Sequence, residues 1–444
     1  MNRPNILIVI THDSGQHFGC YGDAVATPNI DRVAADGVRF ANNFCTAPQC
    51  SPARASLLTG LYPHRHGLIG LTHRGWRLDG AVRRLPAMLG EAGYHPILFG
   101  FHHEEPDPHQ MGYHRWVRAD TVKAASVTPK VLEWLASHPA EPFFACVGFF
   151  ETHRKFSGRI VDDPRAVKVP GYLPDDPIVR DDIAQLYGEI RTVDECVGRI
   201  DAALHEAGLA RNTLLIYTTD HGIAFPHAKA TLHDAGLAVA MVGRGPASTG
   251  FVGGKVVEAM TSTMDLTPTL LGLGVAGADV PADLDGADLR PLLADPAAPW
   301  RDHLFGEQTY HAGYDPMRSI RTERFRYIRC WEDRPICFAP NTDASPSRAL
   351  AFRMNLHRTQ RPMEMLYDMQ ADPFEQHNLA NDPQFADTLA ELRGRLQRWM
   401  EATDDPLLAG HVPAPEGAQF CPAGVLSPNQ FEGVDDWRQA PPSE

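Results

Sequence analysis

The stretch Cys50-Ser51-Pro52-Ala53-Arg54-Ala55-Ser56-Leu57-Leu58-Thr59-Gly60 predicts a helix with a thiol at its first turn. Ser51 is a candidate N-cap, the proline after it suits the first helical position, and Gly60 can end the helix. Cys50 would then face unpaired backbone N–H groups, which attract anions together with the positive end of the helix dipole. Arg54, about one turn further along, adds a guanidinium suited to sulfate or phosphate oxygens. The stretch therefore predicts an oxyanion site with a sulfur atom at its centre.

Four apolar runs elsewhere in the chain are predicted to be buried strands, and each is followed by polar residues. The runs are 5–11, 95–100, 142–150 and 213–219, and the polar residues that follow include His12 and Asp13, His102 and His103, His153, and Asp220 and His221. Long apolar runs are typical of parallel strands covered on both faces. Because ligands of open α/β sheets gather at the carboxyl ends of strands, Asp13 is placed where a metal ligand is expected. The sequence thus predicts an α/β fold with a large, mostly parallel sheet flanked by helices on both faces.

The second half of the chain predicts a smaller domain. Apolar residues over 183–204 recur at helical spacing and predict a long crossover helix, and residues 291–302 are rich in Pro and Ala, as at a boundary. Beyond it, residues 317–322 and 325–329 alternate like antiparallel strands, and residues 386–400 predict a helix that packs on them. We expect an N-terminal catalytic domain over residues 1–303, a smaller C-terminal α+β domain over 304–404 and an extended tail over 405–444.

Composition limits the classes of function. The chain has 444 residues, of which 43% are hydrophobic and 22% charged, as in an ordinary globular protein. A net charge of −14 argues against binding to nucleic acid or an anionic membrane and favours a small anionic substrate met by a few local cations. No apolar run is long enough for a membrane helix and no leader precedes the first strand, so we expect a cytoplasmic protein. Eight cysteines without framework spacing fit reduced thiols in that compartment.

Several motifs resemble those of one enzyme family. The run from Cys50 resembles the sulfatase signature C-x-P-x-R followed by x-x-x-L-T-G, matched at Cys50, Pro52, Arg54, Leu58, Thr59 and Gly60. Residues 220–222, Asp-His-Gly, are similar to the motif that completes the metal site in the sulfatase and alkaline phosphatase superfamily. Residues 372–379 resemble the closing motif of sulfatases, and residues 222–226 and 316–319 look most like the heparan N-sulfatase, or sulfamidase, group. The resemblance implies an alkaline phosphatase-like fold.

The resemblance also implies roles for individual residues. Cys50 would be oxidised by a formylglycine-generating enzyme, the partner needed during maturation, and Arg54 would hold the resulting formylglycine and the bound anion. The implied metal ligands are His12, Asp13, Asp220, His221 and the group derived from Cys50. The implied catalytic residues are Cys50, Arg54, His103, His153 and Lys229, and the residues expected to contact substrate are His102, His311 and Arg318.

Two positions depart from the family pattern. Phe101 stands where sulfatases usually carry a lysine, so His102 or His103 must be considered as the substitute sulfate donor. His12 stands where many sulfatases have another Asp, so it either supplies a nitrogen ligand or leaves the coordination sphere. Family members commonly hold calcium, whereas two imidazoles bring the site closer to manganese or zinc chemistry. The identity of the one divalent cation therefore stays open.

In the implied reaction, the cation and the positive groups withdraw charge from the sulfate and help to ionise one hydroxyl of the hydrated aldehyde. That hydroxyl attacks sulfur in line, and the leaving amine or alcohol takes a proton from His103 or His153. A covalent enzyme sulfate forms, after which the second hydroxyl loses its proton, the aldehyde reforms and sulfate is expelled. The expected substrate is a sulfate ester or sulfamate of a small sugar such as N-sulfoglucosamine.

Two alternatives stay open at this point. A phosphonate monoester or phosphodiester hydrolase on the same scaffold also uses C-x-P-x-R and can end its metal site in Asp-His-Gly, and Phe101 also favours it. A catalytically silent binding protein would keep the fold without turnover, although the retained Cys50, Arg54, Asp13 and Asp220 speak against it. The sequence leaves open whether the scissile bond is S–N or S–O and whether the chain forms a homo-oligomer.

Overall fold

The computed structural model describes residues 3–274 and 281–427. The strands are β1 (Asn5–Thr11), β2 (Val38–Phe40), β3 (Asn43–Phe44), β4 (His95–Gly100), β5 (Arg115–Val117), β6 (Phe143–Gly148), β7 (Thr213–Thr219), β8 (Met241–Arg244), β9 (Lys255–Val257), β10 (Thr261–Ser262), β11 (His303–Tyr310), β12 (Tyr314–Thr322), β13 (Phe325–Cys330) and β14 (Glu364–Asp368). The helices are α1 (Pro28–Asp36), α2 (Cys50–Thr59), α3 (Pro63–His66), α4 (Leu85–Glu91), α5 (Ala124–Ala136), α6 (Pro177–Glu206), α7 (Asp234–Leu237), α8 (Leu266–Gly274), α9 (Arg290–Ala294), α10 (Pro346–Arg353) and α11 (Ala386–Ala402). None of the helices in these two ranges has the length and apolar character needed to cross a membrane.

The large sheet has the strand order β5-β4-β6-β1-β7-β8-β2-β9. Strand β8 runs antiparallel to β7 and β2, and the other neighbours pair in parallel. Every residue of the central strand β1 is buried, which explains its uninterrupted apolar sequence. The register pairs Ile10 of β1 with Gly148 of β6, and Gly148 with Gly100 of β4. The carboxyl ends of β4, β6, β1 and β7 therefore meet at one edge of the sheet.

Helices cover both faces of this sheet. Successive side chains of a strand point to opposite faces, and β1 follows this rule. Ile8 belongs to a hydrophobic cluster that includes Leu57 of α2, whereas Val9 belongs to a second cluster that includes Ile190 of α6. Helix α6 is the predicted long crossover helix and has 30 residues. The prediction of a large, mostly parallel sheet with helices on both faces is confirmed.

The smaller sheet is antiparallel and has the order β11-β12-β13-β14. Helix α11 lies against β12 and β13, and its predicted apolar face is buried through Leu389, Leu392, Leu396 and Trp399. The predicted antiparallel sheet and helix are therefore confirmed. Ile8 of the large sheet and Leu396 of α11 belong to one continuous hydrophobic cluster. Because the two sheets share this core, the division into domains after residue 303 stays a prediction.

The first part of the predicted tail packs against the turn between β11 and β12. The Tyr310 hydroxyl donates to the Val412 carbonyl at 2.8 Å, and the Cys421 N–H donates to the Ala312 carbonyl at 2.7 Å. Residues 405–427 are thus attached to the rest of the fold. The remainder of the predicted tail, residues 428–444, lies outside the described residues.

Candidate active site

Helix α2 presents the thiol at its first turn, because the helix begins at Cys50 itself. Gln49 is the N-cap, and Gly60 ends the helix in a left-handed conformation with a φ of 73°. The prediction that Ser51 is the N-cap is wrong, since its hydroxyl accepts a hydrogen bond from the Thr72 N–H at 3.1 Å. Cys50 is 2% exposed. The sulfur therefore lies at a buried helix N-terminus, where backbone dipoles favour negative charge.

Asp220 fixes two strand ends and this helix relative to one another. The register of β1 with β7 places the residues after both strands side by side. Asp220 Oδ1 accepts hydrogen bonds from the backbone N–H groups of Asp13 at 3.0 Å and His221 at 2.9 Å. Its other oxygen, Oδ2, accepts a hydrogen bond from Arg54 Nε at 3.0 Å. One carboxylate thus joins β1, β7 and α2 at the edge of the sheet.

The five residues predicted to bind metal come together at this point. One ligand atom from each of His12, Cys50, Asp220 and His221 lies within 4.8 Å of the others, and a second such group consists of His12, Asp13 and His153. His12 Nδ1 is 2.7 Å from Asp13 Oδ1, and His221 Nε2 approaches the same oxygen at 3.1 Å without hydrogen-bond geometry. Among the described residues, the buried Nε2 atoms of His12 and His221 have no hydrogen-bond partner. Such nitrogens beside carboxylates and a sulfur fit a divalent cation.

Buried charges shift the pKa values of the central groups. Burial would raise the pKa of the Cys50 thiol, but the charge of His12 and the neighbouring imidazoles hold it well below its ordinary value. Burial would lower the pKa of His12, but the charges of Asp220, Cys50 and Asp13 raise it to about 9. Burial also opposes ionisation of Asp13 and Asp220, and nearby cationic groups nevertheless lower the pKa of both carboxyls. The site therefore favours negative charge on the sulfur and the carboxylates.

Lys229 supplies a fixed cation that contacts the second carboxylate oxygen of Asp13. Its Nζ lies 2.8 Å from Asp13 Oδ2 and 3.0 Å from Asp343 Oδ2, and the residue is 4% exposed. Although burial disfavours the ammonium form, these two carboxylates raise the pKa of Lys229 above its ordinary value. With Arg54, which is 1% exposed, the site holds two buried cations next to the sulfur's helix.

The two predicted proton donors lie next to the sulfur and His12. The His103 imidazole is a neighbour of the Cys50 thiol and helps to lower its pKa, and its Nε2 is 2.8 Å from Nδ1 of His73. His153 packs edge-on against His12, with ring centroids 4.8 Å apart. Nδ1 of His153 contacts a backbone carbonyl at 2.5 Å, and its Nε2 makes no hydrogen bond to the described part of the chain. The ends of β4 and β6 thus each bring an imidazole to the site.

Of the residues predicted to contact substrate, His102 and His311 differ in their surroundings. His102 packs edge-on against Trp116, with ring centroids 4.8 Å apart, whereas His103 is the neighbour that affects the Cys50 thiol. His311 is 6% exposed, and its Nδ1 has no hydrogen-bond partner among the described residues. Burial, with the charge of Lys229, lowers the pKa of His311 to about 3 and keeps its ring neutral. A neutral imidazole with an unpaired nitrogen remains suited to a substrate hydroxyl.

The third of these residues, Arg318, requires a correction. The residue has no exposed surface, and its Nε lies 2.5 Å from Asp405 Oδ2 and 3.2 Å from Glu307 Oε2. Its Nη1 donates to the backbone carbonyl of Gln308 at 2.9 Å. Because its N–H groups are hydrogen-bonded to buried protein atoms, Arg318 has a structural role in the smaller sheet. The prediction that it contacts substrate is wrong.

Two polar residues of the site were missed by sequence reasoning. Asp343 reaches Lys229 from a loop of the smaller sheet's region, and His73 lies against His103 with its ring nearly parallel, at 8°. Neither residue belongs to a motif or follows an apolar run. Because an isolated polar residue in a loop carries no periodic signal, only the fold reveals such neighbours.

Comparisons with known proteins agree with this geometry. The family model described as Sulfatase matches residues 4–276, and the model described as N-sulphoglucosamine sulphohydrolase, C-terminal, matches residues 225–338. The chain is 32% identical to N-sulphoglucosamine sulphohydrolase of Homo sapiens, across 94% of this chain and 93% of the human protein. The first family match covers more than half of the sequence, and the human relative is similar along nearly the whole chain.

Two solved structures share the fold. The phosphonate monoester hydrolase from Silicibacter pomeroyi has a TM-score of 0.72 at 22% identity and covers 94% of this chain and 99% of its own. A structure in complex with its substrate D-glucosamine-2-N,6-O-disulfate has a TM-score of 0.67 at 20% identity and covers 91% of this chain and 98% of its own. At these identities the likeness concerns the fold alone, and the family follows from the sequence matches. The chain belongs to the sulfatase family and is a hydrolase of sulfuric esters or sulfamates.

Proposed function

We propose that this chain removes the sulfate group from a small sulfated sugar, N-sulfoglucosamine or a related unit, at the Cys50 site. The observation that carries the proposal is a buried sulfur at a helix N-terminus with two buried cations, Arg54 and Lys229, beside it. The human relative acts by name on N-sulphoglucosamine, and one structural neighbour binds a glucosamine disulfate, which supports the sugar class. The net charge of −14 favours a small anion over a long sulfated polymer.

Arg54 and Lys229 would bind the sulfate oxygens. Each cation is already held by a carboxylate, Arg54 by Asp220 at 3.0 Å and Lys229 by Asp13 at 2.8 Å. Because these contacts exist before substrate arrives, neither side chain has to reorganise during the reaction. Fixed positive groups stabilise the charge that develops on sulfate oxygens in the transition state, which is where binding energy increases the rate.

In this proposal the nucleophile is formylglycine, made from Cys50 by a formylglycine-generating enzyme. The hydrated aldehyde supplies one hydroxyl for attack on sulfur and another whose deprotonation allows sulfate to leave. His103 lies beside the Cys50 sulfur, so it is placed to accept a proton from an oxygen in the same position. His153 would donate a proton to the leaving group from its Nε2.

Four residues would hold one divalent cation in this proposal, namely His12, Asp13, Asp220 and His221. When bound, the cation polarises the sulfate and the nucleophile as a Lewis acid. The fit is supported by the unpartnered Nε2 atoms of His12 and His221 and by the lowered pKa of both carboxyls despite their burial. Two nitrogen donors favour manganese or zinc, whereas calcium prefers oxygen ligands. Elemental analysis of the purified protein identifies the metal.

A phosphonate monoester or phosphodiester hydrolase is the second candidate. His221 in the Asp-His-Gly run and Phe101 in place of the family lysine favour it. The Phe101 ring lies 5.0 Å from the Arg54 guanidinium, so this position contributes an aromatic face and no charge of its own. The substrate anion would then meet one cation fewer than in sulfatases with the lysine.

The deciding experiment combines mass spectrometry with side-by-side rates. The protein is expressed with a formylglycine-generating enzyme, and kcat/KM is measured on N-sulfoglucosamine, 4-nitrophenyl sulfate and a phosphodiester, with Cys50→Ala as the control. We expect the peptide across Cys50 to show the aldehyde mass and the sulfated substrates to react fastest. Fastest turnover of the phosphodiester would favour the second candidate, and full turnover with an unmodified thiol would refute the proposed nucleophile.

A further inference from the structure

A carboxylate from outside the large sheet lies beside the catalytic groups. Asp343 Oδ2 is 3.0 Å from Nζ of Lys229, whose other carboxylate contact is Asp13. The Asp343 side chain is 17% exposed, and among the described residues its buried Oδ2 has no hydrogen-bond partner, so its contact with Lys229 is an ion pair without hydrogen-bond geometry. The carboxylate is therefore held by charge and keeps its capacity to accept a hydrogen bond from a bound molecule.

Hydrogen bonds fix the loop that carries Asp343. The Asn341 side-chain oxygen accepts from the Gly313 N–H at 2.7 Å, which joins the loop to the turn between β11 and β12. At the next residue of the loop, the Thr342 carbonyl accepts a hydrogen bond from Arg348 Nη1 at 3.0 Å. A carboxylate held in this way is preorganised, and its position does not depend on substrate.

The surroundings of Asp343 keep it ionised and indicate which part of a substrate it meets. Burial would raise the pKa of Asp343, but the charge of Lys229 lowers it below its ordinary value, and the nearby His153 acts in the same direction when it is protonated. His153 is the proposed proton donor to the leaving group, so Asp343 lies on the leaving-group side of the site. The negative charge there is unexpected in a site that must bind a sulfate anion.

We propose, building on the sulfatase function above, that Asp343 accepts a hydrogen bond from the N–H of a sulfamate and so makes the enzyme prefer S–N over S–O bonds. A carboxylate only accepts hydrogen bonds. The bridging nitrogen of a sulfamate carries a hydrogen to donate, whereas the bridging oxygen of a sulfate ester has only lone pairs. A bound sulfate ester therefore offers Asp343 no hydrogen-bond donor and places oxygen lone pairs against its negative charge. Because a buried polar group without a partner is costly, the site should discriminate strongly between the sulfamate and the ester.

The bond changes balance without Asp343 taking part in proton transfer. Sulfur exchanges its bond to nitrogen for one to the attacking oxygen, and the S–N electron pair stays on nitrogen. The attacking hydroxyl gives its proton to one imidazole, and nitrogen takes a proton from another. The leaving nitrogen then carries two hydrogens as a neutral amine, one of them donated to Asp343 throughout.

The test compares Asp343→Asn with wild type on N-sulfoglucosamine and 4-nitrophenyl sulfate, assayed on the same preparation of the formylglycine-bearing protein. Replacing a charged acceptor should lower kcat/KM for the sulfamate about 10- to 100-fold more than for the ester. Loss of folded protein, or a weaker hold on Lys229, affects both substrates and cancels from this ratio. The matched control is Asp175→Asn, because Asp175 is 63% exposed and, among the residues that the structure describes, pairs only with Arg180. Both rates should stay at the wild-type value.

An equal fall in kcat/KM on the two substrates would overturn the proposal and leave Asp343 as a support for Lys229. A wild-type enzyme that cleaves the ester and not the sulfamate would also overturn it while leaving the sulfatase function intact. Failure to cleave either substrate, with the aldehyde present at position 50, would instead refute the proposed function itself.

Discussion

Replacing Arg318 by methionine should destabilise the fold without a selective effect on substrate. Arg318 Nε and Nη2 donate to the two oxygens of Asp405 at 2.5 and 2.9 Å, and Nε also lies 3.2 Å from Glu307. Arg318→Met leaves Asp405 buried without its cation, whereas Glu307 keeps its contact with His64, and this loss costs about 3–5 kcal/mol. At about 2.1 cal/mol/K per residue, the unfolding entropy of 444 residues is about 0.9 kcal/mol/K, so Tm should fall by about 3–5 °C.

Differential scanning calorimetry measures this shift, and Arg324→Met is the matched control. Arg324 is 55% exposed and pairs with Asp368 at 2.7 Å, a surface ion pair worth at most about 1 kcal/mol, so its loss should move Tm by no more than about 1 °C. If Arg318→Met has the same Tm as the Arg324→Met control but a higher KM than wild type, the structural role of Arg318 is refuted. The prediction that Arg318 contacts substrate would then be restored.

Three further results are expected. Gly60→Ala places a Cβ on a residue with a left-handed φ of 73° and should lower Tm by about 1–2 °C. The control Gly80→Ala has nothing within 4 Å of the added Cβ and should leave Tm unchanged. Equal Tm values for the two variants would contradict backbone strain at residue 60. Burial would raise the pKa of Glu307, but His64 and Arg318 lower it from 4.5 to about 2. The stability that the ionised Glu307 contributes is therefore complete above pH 4.5 and is lost as the pH falls towards 2. Glu307→Gln should make Tm less dependent on pH in that window. Dialysis against EDTA should lower both Tm and hydrolysis, and the cation found by elemental analysis should restore both; an unaltered Tm would argue against a bound metal.

The strand ends of the site could be predicted because each is a local pattern. The apolar runs over 5–11 and 213–219 specify buried strands, and polar residues begin where each run stops. Parallel pairing then brings those ends to one edge, whichever strands lie between them in the chain. The convergence of Asp13, Asp220 and Cys50 follows from this rule together with the helix that starts at the thiol.

The errors and omissions arise from contacts between distant parts of the chain. Arg318 pairs with a residue 87 positions away, and no local pattern shows that an arginine on a strand has an internal carboxylate partner. Asp343 is 114 positions from Lys229 by the numbering and enters the site only through the folding of its loop. The N-cap rule fails at Ser51, because its hydroxyl accepts a hydrogen bond from the Thr72 N–H and the helix begins at Cys50, two residues before the predicted first position.

The hydrophobic cluster shared by Ile8 and Leu396 has a consequence for biosynthesis. Strand β1 leaves the ribosome before the other strands of the sheet, yet one of the two layers that cover it includes side chains translated nearly 400 residues later. The nascent chain must therefore shield an incomplete apolar layer until α11 emerges, and contacts of such long sequence separation slow folding. Truncations after residue 303 should aggregate during expression instead of giving an independent catalytic fragment.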